Sequence, residues 1–275
     1  MGKPYVISAE VDVATADLKQ IVNQDCIESF RESLDADLRA MGKDTRWVAS
    51  STIRGGLEHA VATATLPVIS LDDRYVSSAD QFLGISRGVG PSLQDDGYVA
   101  RRGYPPIEDQ LSRVSGLGKE VILVDDVLFS GEMVTWLAAL LIPYGVRIGA
   151  VAVGIAIQEG IDKLALEGID VQAAKVFCAV EDEICERDFA VVPGSGRRID
   201  ALAANALYFD AKNGKPDRWA SIPQSSAEAF CVRSLERSLD LLQSDVPMEL
   251  VGRFLGYGTT GPAASQITNR LEEIS

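Results

Sequence analysis

The run IGAVAVGIAI, residues 148–157, contains no polar side chain. A strand with one face in water alternates apolar and polar residues. One that does not alternate is buried on both faces, as parallel strands between helices are. A second apolar run precedes it at residues 121–124 (VILV), and residues 171–176 are expected as a further strand. The stretches between them have helical spacing. Residues 132–142 place Val134, Leu137, Ala138 and Leu141 on one face before Pro143 and Gly145 stop the helix, and residues 160–167 supply a second helix. This alternation of strand and helix predicts an α/β fold with a doubly wound parallel sheet.

Upstream, Leu18, Ile21, Val22, Phe30, Leu34 and Leu38 recur at spacings of three and four, which predicts a helix over residues 15–40, ended by Gly42. A short strand is expected at 47–51, a helix at 57–64 and a strand ending at Leu71. Residues 72–119 are rich in Gly, Ser, Asp and Pro and read as a long loop with a helical turn near DQLSRV. A connection of that length in a compact domain is usually functional. Beyond Ala179 the chain turns charged and glycine-rich, with helices expected at 227–243 and 262–274. The predicted division is therefore a core at 1–179, including the N-terminal helix, and a helical cap at 180–275.

The formal net charge is −14, from 26 basic and 40 acidic side chains. Such a surface repels phosphate backbones and anionic lipid, so neither nucleic acid nor membrane is an expected partner. No apolar run reaches membrane-spanning length, and the start MGKPYVISAEVDV lacks the apolar core of a signal peptide, which predicts a cytoplasmic location. Cys26, Cys178, Cys185 and Cys231 form no CxxC pair and read as reduced thiols. His59 is the only histidine and is read as structural.

In an open parallel sheet, ligands bind beyond the carboxyl ends of the strands. Asp125 and Asp126 are expected at such an end. Val127, Leu128, Phe129, Ser130 and Gly131 then form a loop into a helix N-terminus, where N–H groups and the helix dipole attract anions. Carboxylates beside an anion site suit a ligand with vicinal hydroxyls next to a phosphate, as in a ribose 5-phosphate. A capped strand-to-helix turn accounts for the same residues.

VILVDDVLFSGEMV, residues 121–134, closely resembles the phosphoribosyl pyrophosphate motif of the type I phosphoribosyltransferases: an apolar strand, two acids, an apolar pair, then Thr/Ser-Gly-x-Thr. TIRGG, residues 52–56, resembles the family's pyrophosphate loop, and the order of the parts from Trp47 to Val176 agrees. The resemblance implies that Asp125 and Asp126 hold the ribose hydroxyls and that Val127 to Gly131 wrap the 5-phosphate. Thr52, Ile53, Arg54, Gly55 and Gly56 would receive pyrophosphate. It also implies Mg²⁺, coordinated mainly by oxygens of the ligand, a homodimer, and a flexible loop that closes over the site. The segment 72–118 lacks lysine, which leaves Arg101 and Arg102 as the catalytic pair clamping pyrophosphate; a solvated basic pair on a surface loop is the alternative. In ERDFAVVPGSGRRID, Phe189 stacks on the acceptor base or belongs to the core, and Arg197 meets the base or lies on a surface turn.

Two positions depart from the family pattern. Met133 replaces a hydroxyl residue, which removes a donor worth about 1.5–3 kcal/mol where charge-assisted. Glu132 sets an acid beside the anion site, costing roughly 2 kcal/mol at about 8 Å and an effective dielectric near 20. Three functions follow from the sequence: a pentosyltransferase that transfers phosphoribosyl to a nitrogenous base, a non-catalytic regulator binding phosphoribosyl pyrophosphate or a nucleotide, and a phosphorylase-like enzyme running in the reverse direction.

Overall fold

A computed structural model describes residues 2–14, 22–101, 103–190, 206–209 and 214–241. In chain order the elements are β1 (Tyr5–Ser8), α1 (Val11–Ala14), α2 (Gln24–Ala40), β2 (Thr45–Val48), α3 (Ser50–Ala62), β3 (Val68–Ser70), β4 (Gln81–Phe82), β5 (Ile85–Val89), β6 (Asp95–Ala100) and α4 (Ile107–Ser112). They continue with β7 (Glu120–Leu128), α5 (Glu132–Leu141), β8 (Arg147–Ile157), α6 (Gln158–Leu166), β9 (Asp170–Phe177), β10 (Asp182–Cys185), α7 (Ala206–Phe209), α8 (Pro216–Trp219) and α9 (Ala227–Leu241). Among the described residues, no helix is long and apolar enough to cross a membrane.

The chain forms two compact units, one of residues 48–87 and 97–180, the other of 1–47, 88–96 and 181–275. Residues 1–47 thus group with the C-terminal part. The reason lies in strand pairing. β1 pairs in parallel with β10, Tyr5 opposite Asp182 and Ser8 opposite Cys185, so the N-terminal strand is held by a segment that follows the larger sheet.

In the unit of residues 48–87 and 97–180, five strands stand in the order β4-β3-β7-β8-β9, and every neighbouring pair is parallel. Along the sheet's own sequence this is order 2-1-3-4-5, a doubly wound arrangement whose direction reverses between β3 and β7. The apolar run of β8 is buried on both faces, as its lack of alternation requires. Val153 packs with Leu137 and Leu164 of α5 and α6, whereas the neighbouring Gly154 faces Ile53 of α3. Helices thus cover both sides.

Two expectations for residues 50–119 are corrected. The long loop at 72–119 instead contains β4, the β5/β6 hairpin and α4. Glycines and a Pro-Ser-Leu turn blur its strand alternation, and the turn itself is ordered by Gly90 N–H donating to Gln94 O at 2.9 Å and Leu93 N–H to Gly90 O at 2.9 Å. Helix α3 begins at Ser50, not near Leu57, so TIRGG is helical.

The other unit is built on the three-stranded sheet β10-β1-β2 and on helices α2 and α9, which pack together. The expected first helix starts at Gln24, where the Asn23 side chain accepts the Cys26 N–H at 2.9 Å and caps it. Its buried face is Ile27, Phe30, Leu34 and Leu38, and residues 15–21 lie outside the described residues. Phe189 is fully buried here, edge-on to Tyr208 at 5.2 Å and Phe230 at 5.3 Å between ring centroids. It belongs to this core, and the base-stacking alternative is withdrawn. The expected helix at 262–274 lies outside the described residues.

Glu186 organises the polar interior of this unit. Its carboxylate accepts the N–H of Glu10 at 2.9 Å and of Val11 at 3.0 Å, and Arg31 grips both oxygens at 2.7 and 2.9 Å. Burial pushes Glu186 toward its protonated form, against the pull of Arg31. Arg31 keeps more contact with water, and for it the pairing outweighs the burial, raising its pKa.

Candidate functional site

Because all five strands of the larger sheet run the same way, their carboxyl ends share one edge. β7 outruns β3 there. Ser70 is level with Val124, so residues 125–128 continue alongside β8 alone. Asp125 and Asp126 therefore stand beside the crevice where the strand order reverses, the position at which such sheets bind ligands. They lie within the strand, not beyond it, so successive side chains leave on opposite faces.

Asp125 is buried and Asp126 half-buried. Asp125 accepts the Asp126 N–H at 3.0 Å. Burial, with Asp126 and Asp72 adding like charge, pushes the Asp125 carboxyl well above the usual range, and Arg101 acts in the other direction. Asp72 lies two residues after β3 and is buried. Its carboxylate accepts the N–H groups of Arg74 at 2.9 Å and Tyr75 at 2.6 Å, closing a tight turn.

Arg101, the residue that follows β6 of the hairpin, reaches the same turn. Its guanidinium donates to Leu71 O at 2.9 Å and Ile85 O at 3.3 Å and pairs with Asp73 at 3.4 Å. Tyr104 donates its hydroxyl to Asp73 at 2.7 Å; burial and that bond push its pKa up to about 12. Arg54, from the second turn of α3, lies 5.5 Å from the centroid of the Tyr75 ring, which brings α3 to this end of the sheet. Arg102 and Arg197 lie outside the described residues.

Two candidate segments change character. Val127 and Leu128 continue β7, opposite Ile155 and Ala156, and Leu128 is buried in the core, so the loop shrinks to Phe129, Ser130 and Gly131. Gly131 adopts φ 77°, left-handed, at the N-cap of α5, a conformation that favours glycine. Gly160 lets α6 approach closely, since a Cβ there would meet Phe129 O at 2.4 Å. Ser130 is half-buried and Phe129 is 38% exposed. Met133 turns inward against the core, and Glu132 is exposed.

Thr52 to Gly56 lie inside α3, so they do not form a loop, and the amides of Arg54, Gly55 and Gly56 belong to helical hydrogen bonding. Ile53 is buried against β8. The glycines serve packing and local freedom unequally. A Cβ on Gly56 would meet the Ala174 Cβ at 2.4 Å, whereas nothing lies within 4 Å of one on Gly55. Gly55→Ala is therefore expected to stabilise the protein by about 0.5–1 kcal/mol through helix propensity. Gly56→Ala gains the same propensity but overpacks α3 against β9 at about 1–3 kcal/mol, for a net loss. Thermal unfolding of the two variants checks the opposite signs.

Asp72, Asp73 and Tyr104 were not anticipated. The signal was present: VISLDD, residues 68–73, repeats the apolar-strand-then-two-acids pattern of VILVDD.

No protein-family model matches the chain, and no curated protein matches it. Among solved structures it is similar to a phosphoribosyltransferase from Corynebacterium diphtheriae, with 17% identity, a TM-score of 0.31, and coverage of 62% of this chain and 96% of that one. It is also similar to orotate phosphoribosyltransferase from Aeropyrum pernix, with 19% identity, a TM-score of 0.27, and coverage of 46% and 70%. A third is the protein TT1426 from Thermus thermophilus, with 19% identity, a TM-score of 0.29, and coverage of 46% and 82%.

Proposed function

We propose that the chain is a divergent phosphoribosyltransferase, acting on the magnesium complex of phosphoribosyl pyrophosphate and a nitrogenous base. The observation that carries this reading is the placement of Asp125 and Asp126 at the crevice between β3 and β7, followed at once by Phe129, Ser130 and Gly131 and the start of α5. Hydroxyl acceptors and an amide-bearing turn stand in the order that a ribose 5-phosphate needs.

In this reading Asp126, the more accessible acid, accepts hydrogen bonds from the ribose hydroxyls, and Asp125, on the other face of β7, holds the Asp126 backbone by accepting its N–H. The turn and the Ser130 hydroxyl meet the 5-phosphate. Magnesium would come bound chiefly by the substrate's oxygens, and the oxygen-only side chain of Asp126 is compatible with so hard a cation. The C1–N bond forms as the C1–O bond breaks, and pyrophosphate leaves with the electron pair. The protein's contribution is positioning and stabilisation of the charge that shifts to the leaving group. Arg54 is the cation from the TIRGG segment that remains at this end of the sheet. The run in reverse, from nucleotide and pyrophosphate, uses the same contacts.

The helical state of TIRGG favours a second reading, a regulator that binds phosphoribosyl pyrophosphate or a nucleotide without turnover, because the amide cradle for pyrophosphate is missing from those residues. Pyrophosphate release from the magnesium complex, assayed over a panel of purine and pyrimidine bases, separates the two. Base-dependent release supports the transferase. Binding without release under any base supports the regulator.

A further inference from the structure

We infer that Tyr75 is a positioning residue, whose buried ring holds the Arg54 guanidinium in place for the diphosphate group of a ligand. This rests on the reading of Asp126 as a ribose ligand, since it supplies the cation for the anionic part of the same molecule.

The guanidinium carbon of Arg54 lies 5.5 Å from the centroid of the Tyr75 ring, within the range of a cation–π contact. Arg54 is half-buried in the second turn of α3. Among the described residues it pairs with no carboxylate, and Glu58, four residues along the helix, is exposed. A half-buried arginine ordinarily finds an acid, as Arg31 finds Glu186 and Arg237 finds Asp37 in this chain. An aromatic ring instead holds a guanidinium by its face and leaves the in-plane N–H donors free for an anion. The ring fixes the cation without neutralising it.

Tyr75 suits that task because it is itself held. It is 2% exposed, its N–H donates to Asp72 at 2.6 Å, and Leu71 N–H donates to Val124 O at 2.8 Å, which ties the turn to β7. Arg54 and Asp126 also share a side of the sheet. Asp126 is level with Gly154, between the pairs Asp125–Val153 and Val127–Ile155, and a Cβ on Gly154 would meet Ile53 of α3 at 2.4 Å. Cross-strand neighbours share a face, so Asp126 leaves β7 toward the side covered by α3. α5 packs on the opposite face, with Val153, so its N-terminal turn and Arg54 address different phosphate groups. With the 5-phosphate at the turn, the diphosphate falls to Arg54, whose fork of donors matches phosphate oxygens.

The test is calorimetric titration with magnesium pyrophosphate of the wild type, Arg54→Gln, Tyr75→Leu, Tyr75→Phe and the double variant Arg54→Gln/Tyr75→Leu. Arg54→Gln should weaken binding about tenfold or more, the scale of a lost charge-assisted hydrogen bond. Tyr75→Leu should weaken it by about 3–30-fold, the scale of a cation–π contact away from water. Tyr75→Phe keeps the ring and should bind as the wild type does. In the Arg54→Gln background, Tyr75→Leu should weaken binding no further. Absence of pyrophosphate binding by the wild type, a Tyr75→Leu loss that persists without Arg54, or a Tyr75→Phe loss as large as that of Tyr75→Leu overturns the inference. If Tyr75→Leu does not fold, nuclear magnetic resonance of the wild type decides. The Arg54 side-chain protons should carry an upfield ring-current shift, and its Nε–H resonance should move on addition of pyrophosphate; failure of either contradicts the inference. Pyrophosphate has no ribose, so these outcomes are independent of ribose recognition, which titration with phosphoribosyl pyrophosphate tests separately through Asp126→Asn.

Discussion

The double variant Asp125→Asn/Asp126→Asn is expected to lose affinity for magnesium phosphoribosyl pyrophosphate by roughly 100-fold or more. Each hydrogen bond that the Asp126 carboxylate accepts from the vicinal ribose hydroxyls is charge-assisted and contributes about 1.5–3 kcal/mol, and an amide replaces it with a weaker, neutral one. Of the single variants, Asp126→Asn should account for more of the loss, since Asp126 is the more accessible acid. Stability should move the other way. Burial and like charge raise the pKa of Asp125 in the folded protein, so at neutral pH the fold bears a cost for that ionisable group. The cost is absent below the unfolded pKa, where the acid is protonated in both states, and grows as pH rises toward the folded value. Asp125→Asn removes it. The variant should melt higher than the wild type at pH 8 and at nearly the same temperature at pH 4. Lost binding in a more stable protein distinguishes a site residue from one needed for folding.

Arg31→Met is expected to cost about 3–5 kcal/mol of stability, the usual consequence of leaving a buried charge without its partner. Glu186 has no exposure, and Arg31 is its cationic partner, gripping both of its oxygens. The loss should shrink as pH falls, because the stranded carboxyl can then take up a proton. Arg31→Met/Glu186→Gln should recover much of it, since the glutamine oxygen still accepts from the Glu10 and Val11 N–H groups without a charge. Urea unfolding followed by tryptophan fluorescence reads this directly. Trp47 and Trp219 lie in the unit that holds the pair, and Trp136 lies in the other.

How much of this was legible in the sequence follows from where the information resides. The larger sheet was readable because a two-sided apolar strand such as β8 has few alternatives, and the helices between strands carry a clear period. The acid pair was readable because carboxylates interrupt an apolar run abruptly. Its exact setting was not. Asp125 and Asp126 looked like the end of a strand, but pairing with β8 carries β7 on through Leu128, and that pairing is long-range. TIRGG was expected as a loop only through its resemblance to a pyrophosphate loop; it is helical despite two glycines and no side-chain cap from Ala49, with Ile53 and Leu57 buried. For Phe189 the core alternative was open from the sequence, but nothing local chose it, since the rings that enclose it come from Tyr208 and Phe230, far along the chain. The second acid pair, Asp72 and Asp73, was visible as a repeat of the same pattern but lay in a stretch whose glycines and prolines drew attention to loops.

The most direct test of the central claim is calorimetric titration of the full chain with phosphoribosyl pyrophosphate, with and without magnesium. The account predicts saturable binding that requires magnesium and disappears in Asp125→Asn/Asp126→Asn. Absence of binding by the wild type, or binding that the double variant retains, would contradict it.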